Sequence, residues 1–199
     1  MTPQMAETET TPGRGRRRAD AERNVAALLD AAAMEFVRAG VDVQVRDVAA
    51  RAGVGVATIY RHFPTRADLV VAVYRHQIDA LAQLGPDLIA AGGSPSAALA
   101  TWIDGFVDFL VTKHGLAGAL RSTDPGFEAL HGLFVSRLVP VCGELLAAAR
   151  SADEIGDALG AYELMRSVGN LCIGAESDER YDARAAVAVL LAGLRAGSR

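Results

Sequence analysis

The chain almost lacks lysine. Lys113 is the one lysine among twenty basic residues, so its positive charge is carried by arginine, whose planar fork suits phosphate better than an ammonium does; a general arginine bias accounts for part of this. Cysteine is also scarce. Cys142 and Cys172 lie thirty positions apart with no CxxC or Cys/His grouping, which argues against a disulfide framework or a zinc site and fits reduced, buried thiols. No apolar run reaches the ~18 uncharged residues of a spanning helix, and the opening "MTPQMAETETTPGRGRRR" is too polar for a secretory signal. The expectation is a cytoplasmic protein with no membrane partner. Catalytic patterns are missing too: there is no GxSxG, P-loop, HExxH, GxGxxG after a strand, or paired-carboxylate constellation. Asp104 and Asp108, near His114 or His131, read as a solvated helix face rather than a metal site. An enzyme is not expected, nor a cofactor or metal.

What is present is a folded composition, 51% hydrophobic and 22% charged over 199 residues. The net charge of −4 hides an asymmetry. Residues 1–79 carry eleven basic and ten acidic side chains, residues 80–199 nine and fourteen, and within residues 10–76 the balance is +4. An acidic chain therefore contains a basic front segment, suited to nucleic acid.

Residues 1–18 hold almost nothing apolar and read as a disordered tail that ends in the basic cluster Arg14, Arg16, Arg17 and Arg18. Such an arm either enters a minor groove or only adds nonspecific attraction. From Asp20 a helical period brings Val25, Leu28, Leu29, Ala32, Phe36 and Val37 onto one face, with Gly40 as the stop. "VDVQV" alternates like a strand but has no pairing partner, and reads as an extended link. "TRAD" is a capping-box pattern, Thr65 with Asp68, opening a helix through Leu69, Val70, Val73, Ile78 and Leu81. "GPDLIAAGGSPS", Gly85 to Ser96, is the candidate seam. Two cap-and-proline pairs, Ser94-Pro95 and Asp124-Pro125, open further helices, and Pro140 predicts a kink or break in the second. Two last helices are expected around Tyr162 to Ile173 and Asp182 to Leu194. The fold class is all-α.

Between the first helix and the capping box, "RDVAARA" is helical, Gly53 breaks it, and "VATIYRHF" resumes. Helix, short glycine turn and helix is the helix-turn-helix arrangement, in which the second helix enters the major groove. Ala49 is small where the helices cross, Gly53 accepts a left-handed turn, and Val54 and Ile59 supply shared core. Val56, Ala57, Thr58, Arg61 and His62 are left outside, with the Tyr60 hydroxyl at the edge. Short side chains let a helix approach base edges, while Thr, Tyr, Arg and His⁺ donate to phosphate. The bland alternative is an ordinary solvated face.

"VRDVAARAGVGVATIYRHFPTRADLV" closely resembles the DNA-binding segment of the TetR family of bacterial transcription regulators, over Asp20 to Val70. The resemblance implies an N-terminal DNA-binding domain (residues 19–66 after the tail, 1–18) and a helical ligand-binding and dimerisation domain (67–199). It places Tyr60 and His62 on phosphates, Thr58 on a phosphate or base edge, Val56 and Ala57 in the groove, and Arg66 where the family has a lysine reaching the DNA backbone. Three departures follow. Gln44 stands where a Thr usually caps the second helix, Gly55 replaces a Ser cap, and Val56 replaces a polar residue, leaving Arg46 as the expected forked base contact.

A two-helix reader acts best as a symmetric dimer on a palindrome. Val168, Gly169, Leu171 and Cys172, then Ala186, Val189, Leu190 and Gly193, are candidates for a four-helix interface of the last two helices, with internal core as the other reading. The resemblance implies the same interface. It also implies a small-molecule cavity among the middle helices, for which Trp102, Phe106, Phe109, Phe134 and Met165 are candidate walls and Asp104, His131 and Asn170 candidate anchors. The expected function is a homodimeric repressor of a palindromic DNA operator, released by a small apolar or amphipathic ligand. The alternative is a helical ligand-binding or scaffold protein with only nonspecific DNA affinity.

Overall fold

The computed structural model describes residues 13–116, 125–173, 178 and 180–196. Eight helices follow one another: α1 (Gly13–Ala39), α2 (Val45–Ala52), α3 (Val56–His62), α4 (Arg66–Ala91), α5 (Pro95–Leu116), α6 (Pro125–Ser151), α7 (Ala161–Cys172) and α8 (Ala183–Ala196). Every regular element among the described residues is helical, as the periodicity requires.

The first helix starts earlier than its apolar face. Residues 13–18, expected in the tail, are its first turns; Arg is a good helix former, and a helix already anchored by Leu28, Leu29, Ala32 and Phe36 propagates backwards over the four arginines here in spite of Gly13 and Gly15. Residues 1–12, the rest of that tail, lie outside the described residues. Val37, expected on the buried face, is 52% exposed. Gly40 ends the helix with φ 77°, its N–H donating to Phe36 O at 2.9 Å. The alternating "VDVQV" contains no strand: Val41 and Val43 turn inward to the core from a tight link, and Val45 already belongs to α2.

Thr65 closes the capping box with Asp68, Thr65 Oγ1 accepting from Asp68 N–H at 3.1 Å and Asp68 Oδ2 from Thr65 N–H at 2.9 Å. From there α4 runs 26 residues, through the first part of the expected Gly85–Ser96 seam, so that the break falls in its second half. The chain turns only at Gly92 and Gly93, with φ 73° and 102°, where no residue with a Cβ sits comfortably. Ser94 Oγ then accepts from Ala97 N–H at 3.2 Å to cap α5, and Glu154, from the α6–α7 loop, accepts from Ser94 Oγ and Ser96 N–H at 2.7 Å each. The break expected at Pro140 is absent as well, because α6 continues to Ser151.

Both prolines survive inside helices for the same reason: α4, α5 and α6 pack on one another, and burial outweighs the lost backbone bonds. Gly85 lies at this contact. It is buried, and a Cβ built on it would stand 2.2 Å from Val141 Cγ1. The Trp102 indole N–H donates to Leu81 O at 2.9 Å in the same region. α7 leans on α5 and α6, α8 on α7 and α5, and α1 spans α2, α4 and α5. One apolar core is continuous from Leu28 in α1 to Leu194 in α8.

Alanine at Gly85 would gain roughly 0.5–1 kcal/mol of helix propensity, but Val141 is β-branched and cannot swing away. We expect Gly85→Ala to destabilise by about 1–2 kcal/mol in urea unfolding, and the loss to vanish in a Val141→Ala background. An equal loss in both backgrounds would place its cause elsewhere.

Candidate functional site

The reading head is assembled from two very short helices that cannot persist alone. α2 buries Val48 and Ala49 and ends at Gly53, which takes φ 67°; Val54 N–H donates back to Ala49 O at 3.0 Å. Gln44 and Gly55, the residues before α2 and α3, are extended and give no side-chain cap. Ile59 alone anchors α3 in the core, 1% exposed, a burial worth roughly 1.5–3 kcal/mol. Its other residues face outward: Val56 is 38% and Tyr60 47% exposed, Ala57, Arg61 and His62 are exposed, and Thr58 is half-buried. Arg46, at the head of α2, is exposed and holds Asp47 only loosely, at 3.7 Å. The predicted groove and phosphate residues of α2 and α3 are therefore accessible.

Arg66 is the exception. Its guanidinium is turned into the protein, where Nη1 donates to Val41 O and Nη2 to Val43 O at 2.6 Å. The residue expected to reach a phosphate instead fastens the link before α2, because those two carbonyls lie in a turn that leaves them without helical partners. A second staple was not foreseen. Glu35 of α1, 4% exposed, accepts from Arg38 Nε at 2.9 Å and Nη2 at 2.6 Å, and from Arg51 Nε of α2. The hydrogen bond from Arg38, then that from Arg51, holds the Glu35 carboxyl below the ordinary carboxylate range, and the same bond raises Arg38. The available signal was a glutamate beside Phe36 on a face otherwise apolar, with an arginine three positions on.

The second feature lies beyond α4. A cavity of about 300 Å³ opens between α5, α6 and α7. Phe106 and Leu110 form its α5 wall, His131, Phe134, Val135 and Val139 its α6 wall, and Tyr162, Met165, Arg166, Gly169, Asn170 and Ile173 its α7 side. Phe106 and Met165 are buried at its floor, whereas Tyr162, Arg166, Asn170 and Ile173 are exposed at its rim. Phe134 stacks on Phe106 at 5.8 Å and on His131 at 6.1 Å between centroids.

Of the expected cavity residues, Phe106, His131, Phe134, Met165 and Asn170 line it. Trp102, Phe109 and Asp104 do not. Trp102 is fully buried with its N–H satisfied by Leu81, and Phe109 packs in the core against Tyr74 and Phe134. Asp104 is exposed toward α8, where it and Asp108 share the guanidinium of Arg184. Tyr162, Arg166, Gly169 and Ile173 were missed as lining because α7 reads in sequence as a packing helix.

A family model described as bacterial regulatory proteins, tetR family, matches residues 28–73, and one described as the C-terminal domain of SbtR-like transcriptional regulators matches residues 94–196. The chain belongs to the TetR family. A TetR transcriptional regulator from Streptomyces coelicolor is 32% identical, with a TM-score of 0.73 over 85% of this chain and 97% of that one. A TetR regulatory protein from Mycobacterium vanbaalenii is 33% identical, with a TM-score of 0.65 over 90% and 99%. The fold is also that of the regulator FadR from Bacillus subtilis, solved with stearoyl-CoA, at 20% identity and a TM-score of 0.58 over 86% and 97%. No curated protein sequence matches the chain. As a TetR-family regulator it carries its DNA-binding helix-turn-helix in α2 and α3.

The residues expected at a dimer interface divide by depth. Val168 and Cys172 are buried within the chain, 0% and 5% exposed, so they are core of α7 and leave no surface for a partner. Leu171, Ala186 and Leu190 are half-buried, and Val189, 72% exposed, lies with exposed Gly193 on the outer side of α8.

Arg66→Met should lower stability by about 1–3 kcal/mol in urea unfolding, since Val41 and Val43 carbonyls lose charged donors, and should weaken specific and random duplex alike; unchanged stability with weaker DNA binding would return Arg66 to the phosphates. Glu35 gives a pH signature. Its folded-state acidity is strengthened, so its contribution is complete above the ordinary Glu value of about 4.3 and is lost as the pH falls through the lower folded value. Glu35→Gln should reduce stability at pH 7 and flatten the acid limb of stability against pH; a parallel acid limb would remove Glu35 from the helix-turn-helix staple.

Proposed function

We propose that this TetR-family regulator is a homodimeric repressor that binds a short palindromic operator and is released by a small molecule bound between α5, α6 and α7. The supporting observation is the division of labour along α4: its N-terminal half carries a reading head with Val56, Ala57, Tyr60, Arg61 and His62 exposed, and its C-terminal half packs on α5 and α6, two walls of an apolar cavity. DNA, a second copy of the chain and a small ligand are the proposed partners, and the cytoplasm the proposed location. The proposed division is a reading domain over residues 19–66 and a ligand and dimer domain over residues 67–199. The dimer contact is proposed on the outer faces of α7 and α8, where Val189 leaves an apolar side chain in water and Gly193 allows close approach.

In the reading head, Val56 and Ala57 meet base edges, Thr58, Tyr60, Arg61 and His62 meet phosphates, Thr58 reaching a base edge where the groove allows, and Arg46 supplies the forked contact to a base. Gln44 and Gly55 lie beside the DNA, Gln44 as an amide donor and Gly55 as backbone. A ligand coupled to the operator by about 1–3 kcal/mol would weaken binding 5- to 150-fold. FadR from Bacillus subtilis was solved with stearoyl-CoA and a regulator of this fold from Saccharomonospora viridis with choline, so the fold admits very different ligands.

Selection from a random duplex pool at moderate salt should return a palindrome with half-sites about 34 Å apart or somewhat more; retention without a motif, lost as salt rises, would favour a scaffold with nonspecific affinity. On that operator Tyr60→Phe should weaken specific and random duplex equally, while Arg46→Ala should cost about 1–3 kcal/mol on the operator and little on random DNA. Equal losses for Arg46→Ala on both duplexes would remove it from base reading.

A further inference from the structure

The polar rim of the cavity has one chemical character. Arg166, Asn170, Tyr162 and His131 carry its polar side-chain groups, and among the described residues no carboxylate lines it. Arg166, the one permanently charged group among the described lining residues, has no ion-pair or hydrogen-bond partner among the described residues, whereas Arg137 pairs with Asp79, Arg150 with Asp157, and Arg184 with Asp104 and Asp108. Tyr162, Arg166 and Asn170 are hydrogen-bond donors set one turn apart along the same face of α7. A neutral apolar ligand would cover these donors without replacing their water, at a cost for each donor left unpaired. A quaternary ammonium would gain from the aromatic wall, yet among the described residues would meet a guanidinium and no counter-charge. The body of the ligand is set by Phe106, Phe134 and the His131 ring, whose planes lie within 25° of one another along the stack. At about 300 Å³ the space is at the small end for a ligand site.

We propose that the cavity takes a small carboxylate with a flat, preferably aromatic, body, its ring along Phe106 and Phe134 and its carboxylate forked onto Arg166. This rests on the ligand-release reading above for its regulatory meaning, though not for binding itself. Gly169 supplies the room: a Cβ built there would meet no atom within 4 Å.

The test uses the full chain and three benzyl probes, phenylacetate, its near-isostere phenylacetamide, and benzyltrimethylammonium, by calorimetry and by the fluorescence of Trp102, the one tryptophan, which stacks on Phe106 at 5.9 Å. Phenylacetate should bind at least about tenfold more tightly than the amide, with the ammonium weakest. Arg166→Gln should bring the acid-to-amide ratio close to one, Arg166→Lys should keep part of it, and Gly169→Leu, filling the space, should block every probe while leaving the helical circular dichroism intact. The assignment is overturned if the ammonium binds as well as the acid, if the ratio survives Arg166→Gln, or if the acid fails to saturate. Operator affinity is read separately: phenylacetate that binds in this pattern without loosening the operator upholds the ligand class and removes the release mechanism, whereas release by another compound, blocked in Gly169→Leu, upholds release and removes the class.

Discussion

Burial of α4 against two different sets of partners is the constraint on which both halves of the molecule rest. Leu69, Val70 and Val73 close the core beneath the reading head, and Ile78, Leu81 and Gly85 close it against α5 and α6. The helix is capped at Thr65 and released only at Gly92, so no joint separates these two duties. Close-packed interiors transmit displacement rather than absorbing it. A movement of α6 over Gly85, where Val141 leaves no slack, must be taken up by α4 as a body, and α1 and the link held by Arg66 follow it. That is the physical route a ligand-release mechanism needs, and it requires no hinge inside the reading head.

Two arginine staples keep that head in one shape. Arg66 spans the carbonyls of Val41 and Val43 with two nitrogens of one planar group, a grip that the point charge of a lysine reproduces poorly. Arg51 and Arg38 share the Glu35 carboxylate from opposite sides, tying α2 to α1. Burying a carboxylate costs several kcal/mol unless its oxygens are all engaged, and here both are. The arginines of the front segment thus include groups that brace the fold, Arg38, Arg51 and Arg66, and groups such as Arg46 and Arg61 that tie no helix to another.

The difference between these sets marks the limit of what was legible in the sequence. Element type was readable throughout, because a helical period, a left-handed glycine and a capping box are local devices, and Gly40, Gly53 and Thr65 act where local chemistry puts them. The prolines misled for the same reason: Pro86 and Pro140 are local breakers, and only the mutual burial of α4, α5 and α6 overrides them. Arg66 carried a family expectation of phosphate contact, and nothing local reveals that two carbonyls twenty-odd positions earlier would claim it. Exposed positions of α3 could be named from its period once Ile59 was fixed as its anchor. Val168 and Cys172 could not be separated from Val189 by composition, since an interface and a core ask for the same side chains.

The aromatic stripe makes the same point about the cavity. Trp102, Phe106 and Phe109 occupy one face of α5 at helical spacing, and all three are buried, so burial alone does not tell a wall from a core. What distinguishes Phe106 is the helix opposite. Trp102 is sealed by Leu81 and lies near Gly85 of α4, and Phe109 by Tyr74 of the same helix, while Phe106 and Phe134 face the row Tyr162, Arg166 and Gly169 of α7, continued by Ile173 at its end. A row that offers leucine at each of these positions would close on the phenyl rings and make a continuous core. Here the third position has no side chain and the second ends in a charge that prefers water, so the row cannot close, and the floor made by Phe106 stays open. The cavity is thus a property of α7, a helix whose other face, Leu164, Val168 and Cys172, is buried as fully as any in the molecule.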